Sequence, residues 1–187
     1  MSAQSFPVLH TERLTLRQAG VADVLPLLRI MQDPEVLCYY GMPSLETEQQ
    51  ALAEIFWFNQ VFAQGAGIRW VIARQDASDY IGDVGFFKHE KQHARAEVGY
   101  RLVRSCWGQG LMTEALAAAV EYGFAQMALN RIEALADPRN GATLRVLSKV
   151  GFIQEGLLRE YEIEQSRPVD LVMLSLLKRE WRQSTAS

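Results

Sequence analysis

Hydrophobic and polar residues alternate in several short runs of the chain, which indicates β-strands. In residues 12–18, Leu14 and Leu16 alternate with polar neighbours, and a period of two is typical of a strand with one buried face. Similar or more continuous apolar runs predict six further strands, at residues 68–74, 80–89, 96–103, 131–136, 152–162 and 169–177. The connectors at 75–79 and 90–94 are short and polar, so the strands they join are predicted to form antiparallel hairpins.

Hydrophobic residues recur with helical spacing in four other segments. The predicted helices cover residues 21–31, 44–63, 111–127 and 143–150. Either Ser44 or Thr47 can cap the second helix, and Thr47 has Gln50 three residues later, in the capping-box position. Residues 38–43, between the first two helices, are predicted to form a loop rich in aromatic side chains.

The order of these elements predicts the α+β class. A strand, a helix and a strand follow one another over residues 96–136, which predicts a parallel crossover, whereas the hairpins before it are antiparallel. We therefore expect a mixed, mostly antiparallel twisted sheet flanked by helices. A single domain is predicted over residues 8–181, with flexible ends at 1–7 and 182–187.

Composition excludes a few classes of function. The 187-residue chain has a formal net charge of -3, which is poorly suited to general binding of nucleic acid. Its two cysteines, Cys38 and Cys106, are too few for a disulfide framework or a zinc cluster. His89 and His93 flank a predicted turn, so no metal site is predicted. The sequence has neither a signal-peptide pattern nor an apolar run of membrane length, so we expect a cytoplasmic protein without a membrane partner, either monomer or homodimer.

The segment with the strongest chemical signal joins the strand at 96–103 to the helix that follows Gly110. Backbone N–H groups at a helix start have no partners within the helix, and the helix dipole adds partial positive charge there. A phosphate group is a natural ligand for such a position, and Gly108 has no side chain to block its approach. A tight turn without a ligand is the alternative. The spacing does not match the dinucleotide-binding G-x-G-x-x-G, because Thr113 stands at the sixth position, and it does not match a P-loop.

At this loop the sequence resembles the GNAT superfamily of N-acetyltransferases, and within it the RimJ/RimL type. The superfamily motif for the pyrophosphate of coenzyme A reads Gln/Arg-x-x-Gly-x-Gly/Ala. The six corresponding positions here are Trp107, Gly108, Gln109, Gly110, Leu111 and Met112. The first and last depart from the motif, but Trp at the first position is usual in the RimJ/RimL branch.

Other segments carry the resemblance independently and in the same order. Residues 11–17 resemble the first strand of the branch, and residues 140–143 with 150–152 resemble its Asn-x-x-Ser and Leu-Gly-Phe segment. Residues 155–156 and 170–181 resemble its closing hairpin. The likeness spans about residues 8–181. It implies the GNAT, or acyl-CoA N-acyltransferase, fold.

The resemblance also implies the reaction. Acetyl-CoA is the implied co-substrate, and a primary amine, either a protein N-terminus or a small amine, attacks it directly in a ternary complex. Residues 107–113 are implied to bind the pyrophosphate, and the backbone of Leu102 and Val103 to pair with the pantetheine arm. Asn140 and Thr143 are implied to face the arm and the sulfur, with simple helix capping as the alternative.

The catalytic base is predicted among glutamates, because an alkyl ammonium must lose a proton before its nitrogen can attack. The resemblance indicates Glu97, on the strand before the glycine loop, and Glu162, on the penultimate strand. Each has an alternative as a solvated charge on a strand. Many family members have a tyrosine acid at the position of Leu147, so Thr143, Tyr161 or water remains as proton donor.

Two other functions remain open at this point. Aminoglycoside acetyltransferases share the scaffold, and an acidic pocket built by Glu160, Glu162 and Glu164 would suit a polycation; Glu160 is also a weaker third candidate for the base. A domain that binds acyl-CoA without turnover is the second alternative. The aromatic loop and the helix face with Trp57 and Phe58 are candidates for the acceptor pocket, with core packing as the alternative.

Overall fold

The computed structural model describes residues 5–77, 79–164 and 166–185. Within them, eight strands form one sheet. They are β1 (Leu9–His10), β2 (Leu14–Arg17), β3 (Ile68–Arg74), β4 (Tyr80–Glu90), β5 (Arg95–Leu102), β6 (Arg131–Ala136), β7 (Ile153–Glu164) and β8 (Arg167–Leu177). The strand order is β1-β2-β3-β4-β5-β6-β8-β7. Every neighbouring pair is antiparallel except β5 and β6, which are parallel. The predicted mixed, mostly antiparallel sheet and its parallel crossover are confirmed.

Helices accompany the sheet in the described residues. They are α1 (Val24–Ile30), α2 (Pro34–Leu37), α3 (Glu48–Ala63), α4 (Leu111–Ala125), α5 (Gly141–Val150) and α6 (Lys178–Thr185). The four predicted helices correspond to α1, α3, α4 and α5, whereas β1, α2 and α6 were not predicted. In α2, the Asp33 side chain accepts a hydrogen bond from the Glu35 N–H at 2.9 Å and Pro34 takes the first helical position. The residues that end one helix therefore also start the next.

The start of α3 decides between the two predicted caps. The N–H of Gln50 donates to Thr47 Oγ1 at 3.3 Å, and the N–H of Thr47 donates to Gln50 Oε1 at 3.0 Å. The reciprocal capping box is thus formed, and the helix begins at Glu48. The alternative start at Ser44 is wrong, because the Ser44 hydroxyl donates to the Met31 carbonyl at 2.9 Å instead.

Each face of the sheet is covered by its own hydrophobic cluster. Trp70 lies in the cluster that includes the buried residues of α4, and Val71 lies in the cluster of α1 and α3. Neighbouring side chains of a strand point to opposite faces, so β3 is buried on both faces from Ile68 to Ala73 rather than alternating. Phe124 of α4 is fully buried, and truncation of such a side chain to Ala costs about 3–5 kcal/mol.

Parts of the predicted flexible ends make contacts. The Pro7 carbonyl accepts a hydrogen bond from the Trp70 indole at 2.9 Å. Helix α6 continues to Thr185, and the Trp181 ring lies 5.4 Å from the Phe124 ring. Residues 1–4, 186 and 187 lie outside the described residues. None of the helices in the described part of the chain has the length and apolar character needed to cross a membrane.

Candidate active site

Strands β5 and β6 separate towards their carboxyl ends. Their parallel pairing ends at Glu97 and Glu133, although both strands continue. On their outer sides, β5 stays paired with β4 and β6 with β8. Residues 98–102 and 134–136 therefore present backbone edges to each other across a gap. A strand edge without a partner strand is a place where an extended ligand can form hydrogen bonds.

A cavity of about 1130 Å³ lies at this gap and reaches the starts of α4 and α5. Most of the predicted site residues line it. They are Glu97, Leu102, Trp107, Gly108, Gly110, Leu111, Met112, Thr113, Asn140, Thr143 and Glu162. Val103 and Gln109 lie outside the cavity wall. The structure thus brings both candidate bases, the glycine loop and the start of α5 to one cavity.

The end of β5 corrects one predicted contact. The Val103 N–H donates to the Ile81 carbonyl at 2.8 Å, so it does not face the gap. The Leu102 carbonyl accepts a hydrogen bond from the Trp107 indole at 2.8 Å. Trp107 therefore fastens the glycine loop to the end of β5, and the edge of β5 that faces the gap lies earlier, at residues 98–101.

The glycine loop leaves the start of α4 open to the cavity. Gly108 and Gly110 have φ values of 72° and 76°, in the left-handed region that favours glycine. A Cβ added to Gly108 would meet no atom within 4 Å, so this backbone borders open space. Gly110 is the N-cap of α4, and no side chain caps the first turn. The unpaired N–H groups of that turn fit a pyrophosphate.

Side chains of the turn between β1 and β2 support the loop from its other side. Glu114 of α4 accepts a hydrogen bond from the Thr11 hydroxyl and pairs with Arg13, each at 2.6 Å. Arg13 also donates to the Gln109 carbonyl at 3.0 Å. Burial acts to raise the pKa of Glu114, but the hydrogen bonds from Thr11 and Arg13 outweigh it and lower the pKa. Gln109 thus supports the loop rather than lining the cavity.

The two candidate bases lie on different strands, Glu97 on β5 and Glu162 on β7, and both line the cavity. The Glu97 side chain is 14% exposed, and its Oε2 lies 2.9 Å from Lys88 Nζ. Burial raises the pKa of Glu97, the Lys88 ammonium lowers it, and the Glu162 carboxylate raises it again, with a pKa above the usual value as the result. Glu162 is more exposed and belongs to β7. A carboxylate of raised pKa at a cavity is a candidate proton acceptor.

The start of α5 forms the opposite wall. The Asn140 side chain accepts a hydrogen bond from the Thr143 N–H at 3.0 Å, so the capping role that we considered as the alternative is present. Leu147 is fully buried and has no proton to donate. Tyr100 of β5 also lines the cavity, and its hydroxyl lies 3.5 Å from the Thr143 carbonyl. Burial raises the pKa of Tyr100.

A buried charge cluster next to the cavity was missed by the sequence analysis. The Asp83 carboxylate lies 2.6 Å from Arg69 Nε and 2.6 Å from Arg101 Nε. It also accepts from the Tyr80 hydroxyl, and Arg101 pairs with Glu54. Burial acts to raise the pKa of Asp83, but Arg101 and Arg69 lower it below its usual value. The sequence did contain a signal for this cluster, because charged residues occur inside strands whose other residues are mostly apolar.

The aromatic loop and β7 meet at one side of the cavity. Tyr40 and Trp57 line the wall, and Trp57 is 43% exposed, whereas Phe58 is buried in the core. Core packing is therefore correct for Phe58 only. A Cβ on Gly41 would lie 2.7 Å from an oxygen of Glu164, so the loop touches β7.

Two weaker candidates do not line the cavity. Glu160 has a positive φ of 49° and its N–H donates to Asp170 at 2.8 Å, while Tyr161 is 50% exposed. Neither belongs to the wall formed by the described residues. In the described part of the chain, no group of three or more His, Cys, Asp or Glu residues is arranged to hold a metal ion.

The fold and the cavity together define the class of acyl-CoA N-acyltransferases. The profile of the acetyltransferase (GNAT) domain matches residues 13–153, and the chain belongs to this family. It is 37% identical over 173 residues to the N-acetyltransferase YoaA of Bacillus subtilis, covering 92% of this chain and 98% of YoaA. It is 39% identical to the N-acetyltransferase p20 of Bacillus licheniformis, covering 92% of this chain and 97% of p20.

Solved structures agree on the fold. RimL, a ribosomal L7/L12 alpha-N-protein acetyltransferase in complex with coenzyme A, superimposes with a TM-score of 0.83 at 19% identity, covering 91% of this chain and 98% of RimL. Spermidine N-acetyltransferase from Vibrio cholerae, in complex with CoA and spermine, gives a TM-score of 0.80 at 21% identity, with coverages of 92% and 99%. The family membership makes this chain an acetyl-CoA-dependent N-acetyltransferase, as predicted.

Proposed function

We propose that this N-acetyltransferase acts on a primary amine, either a protein N-terminus or a small amine, by direct attack within a ternary complex. One observation carries the proposal. A single cavity joins the uncapped start of α4, the gap beside β5, and the carboxylates of Glu97 and Glu162. A phosphorylated donor and a basic acceptor can therefore reach each other without leaving the cavity.

The donor is assigned to the glycine loop and the gap. Gly108, Gly110 and the first N–H groups of α4, from Leu111 to Thr113, would hold the pyrophosphate. The edge of β5 at residues 98–101 would hold the pantetheine arm, in place of the contacts predicted at Leu102 and Val103. Bound acetyl-CoA supplies an acetyl thioester.

Glu97 is our first choice for the base. It would take a proton from the acceptor ammonium, directly or through one water, so that the nitrogen lone pair can attack. Its burial and its raised pKa favour proton acceptance. Glu162, on β7, would attract and orient the ammonium. Backbone N–H groups of the open β5 edge would donate to the oxygen that gains negative charge.

Tyr100 and Thr143 are our candidates for the proton donor to the leaving sulfur. Leu147, at the position of the usual tyrosine, is apolar, and Tyr161 is not on the wall. Tyr100 and Thr143 carry hydroxyl groups on the cavity wall beside the start of α5. The sequence predicted Thr143, Tyr161 or water as the proton donor. Tyr100, which was not predicted, takes the place of Tyr161 among these candidates.

The acceptor side favours a cationic amine. Glu162 and Glu164 lie on the wall together with Tyr40 and Trp57, so negative charge and aromatic rings face the same space. Glu160 does not contribute, which weakens the case for an aminoglycoside. RimL is an alpha-N-protein acetyltransferase and the Vibrio cholerae enzyme acts on spermidine, so both acceptor classes belong in the first screen. The acetyltransferase relatives favour turnover over a module that only binds acyl-CoA.

Calorimetric titration with acetyl-CoA tests the donor site. Gly108→Asp and Gly108→Asn form a matched pair, because both side chains tolerate a positive φ and are nearly equal in size. Only Asp adds a negative charge beside the pyrophosphate. We expect Gly108→Asp to weaken binding at least about tenfold more than Gly108→Asn, which corresponds to about 1.4 kcal/mol. Equal affinities of the two variants for acetyl-CoA would show that the pyrophosphate does not bind at this loop.

The acceptor is then screened with wild-type protein by following release of free thiol. A peptide with an N-terminal alanine and spermidine are the two probes, and mass spectrometry locates the added acetyl group. Tight binding of acetyl-CoA without acetylation of any primary amine would refute the proposed reaction.

A further inference from the structure

Lys88 contacts the candidate base but has no role in the reaction as described so far. Its Nζ lies 2.9 Å from Glu97 Oε2. Glu97 is part of the cavity wall and Lys88 is not, so the lysine reaches the carboxylate from outside the cavity. We propose that Lys88 is a positioning residue that holds the Glu97 carboxylate charged and fixed for proton transfer. The proposal rests on the proposed function in taking Glu97 as the base.

The backbone of β4 is distorted in a way that serves this contact. Phe87 is the direct partner of Glu97 in the β4–β5 pairing, so these two side chains share one face of the sheet. In a regular strand the next residue, Lys88, would point to the opposite face. Instead the pairing shifts between Phe87 and Glu90, and Lys88 has a φ of 49°. A bulge of this kind re-aims a side chain, and here it directs Lys88 to Glu97.

The distortion is unfavourable for a residue with a Cβ. A left-handed conformation is sterically unfavourable for a residue with a Cβ, yet position 88 is a lysine with a φ of 49° rather than a glycine. Such strain is characteristic of functional positions. The ammonium also lies 5.7 Å from the centroid of the Phe87 ring, which again locates it on the Glu97 face of the sheet.

Lys88 offsets the negative charges around Glu97. Burial, Glu162 on β7 and Glu133 on β6 all raise the pKa of Glu97, whereas Lys88 on β4 lowers it. Glu133 is itself paired with the arginines Arg95 and Arg131. Removal of the Lys88 charge should therefore raise the pKa of Glu97. Glu97 would then bind its proton more tightly and would be a charged base over a narrower range of pH.

The test variant is Lys88→Met, which keeps the Cβ and an unbranched stem but removes the charge. The backbone strain is the same in both proteins, so the comparison isolates the ammonium. Lys88→Arg restores a cation, and Lys91→Met is the matched control, because Lys91 is a nearby exposed lysine with no assigned role. The carboxyl carbon of Glu97 is followed by NMR in protein labelled with ¹³C-glutamate, with Glu97→Gln for assignment.

We expect the Glu97 titration to move to higher pH in Lys88→Met and to stay near wild type in Lys88→Arg and Lys91→Met. This measurement needs neither acetyl-CoA nor an acceptor, so its result is independent of the proposed function. An unchanged titration in Lys88→Met would overturn the proposal.

The activity measurement compares kcat/KM of Lys88→Met and wild type at each pH, with the alanine peptide or spermidine as acceptor. Ionisation of the acceptor cancels in this ratio. We expect the ratio to fall about two- to fivefold from the alkaline to the acid end, because the Lys88 side chain is 58% exposed and solvent screens part of its charge. A ratio that is lowered equally at every pH would mean a packing role only. A titration that moves while the ratio stays flat would show that Glu97 is not the base, and either result overturns the proposal.

Discussion

Replacement of Asp83 by Asn removes the one negative charge that two buried arginines share. The side chains of Asp83 and Arg101 are fully buried, and that of Arg69 is 7% exposed. Asn has nearly the same shape as Asp, so the cavity term of a truncation is avoided. Its amide group, however, brings N–H donors towards guanidinium N–H groups that also need acceptors. The variant therefore tests charge compensation rather than packing.

We expect Asp83→Asn to lower the free energy of unfolding strongly. Removal of one partner from a buried ion pair typically destabilises a protein by about 3–5 kcal/mol, because a charge stays buried without compensation. Here that charge is Arg69, since Arg101 keeps its pair with Glu54. In a chain of this size, about 1 kcal/mol corresponds to about 2–4 °C in Tm. The melting temperature of Asp83→Asn should therefore fall by about 6–20 °C.

Urea unfolding followed by tryptophan fluorescence measures the free energy of unfolding. Glu90→Gln is the control, because it removes an ion pair with Arg95 whose side chains are 46% and 39% exposed, and exposed pairs contribute about 0–1 kcal/mol. Since the pKa of Asp83 is lowered in the folded state, its stabilisation is present above the unfolded pKa, about 3.9, and is lost as the pH falls through the folded value. The difference from wild type should thus shrink in acid. A neutral-pH cost within about 1 kcal/mol of the control would refute the reasoning.

Three further predictions follow from the site and its supports. Tyr100→Phe should lower kcat at least about tenfold with little change in KM, measured by thiol release, if its hydroxyl donates to the leaving sulfur; an unchanged kcat assigns that role to Thr143 or water. Arg13→Met should weaken acetyl-CoA binding about two- to fivefold in calorimetry by loosening the loop brace, and unaltered affinity would show that the loop needs no brace. Thr47→Ala should lower the free energy of unfolding by about 1 kcal/mol through loss of the α3 cap, with Thr47→Ser retaining it; equal losses in both variants would contradict the capping argument.

The secondary structure was predictable where a short-range rule determines it. Strands β3 and β6 have the predicted bounds, because the buried run of β3 ends at Arg74 and the alternating pattern of β6 ends before Asp137. The Thr47 cap follows from a spacing of three residues. Helix α6 was not predicted, since its sequence is strongly polar. Its Trp181 packs against Phe124 of α4, which is far away in the sequence. Local patterns contain no information on such a partner.

The parts of the candidate site that depend on local sequence were predictable, whereas the parts that depend on contacts between distant residues were not. The glycine loop could be predicted because its conformation depends on two residues alone: Gly108 and Gly110 both have a positive φ, which glycine adopts readily. The Asp83 cluster depends instead on register, since Asp83 lies directly opposite Arg101. The contact between Lys88 and Glu97 depends on a bulge. Both pairs join β4 to β5, so a one-residue shift in that hairpin would separate them, and they emerge only in the folded sheet.

The arrangement of the cavity also explains how one fold serves different acceptors. In a parallel crossover, β5 and β6 end at the same edge of the sheet, and α4 and α5 begin there, so both helix starts converge on the gap. In the proposed function, donor contacts therefore come from elements fixed by the topology. The proposed acceptor wall comes from the loop at residues 38–42, from α3 and from the end of β7, which do not form the glycine loop. Substitutions in that wall can change the amine while leaving donor binding intact, which fits a fold shared by enzymes for ribosomal proteins and for spermidine.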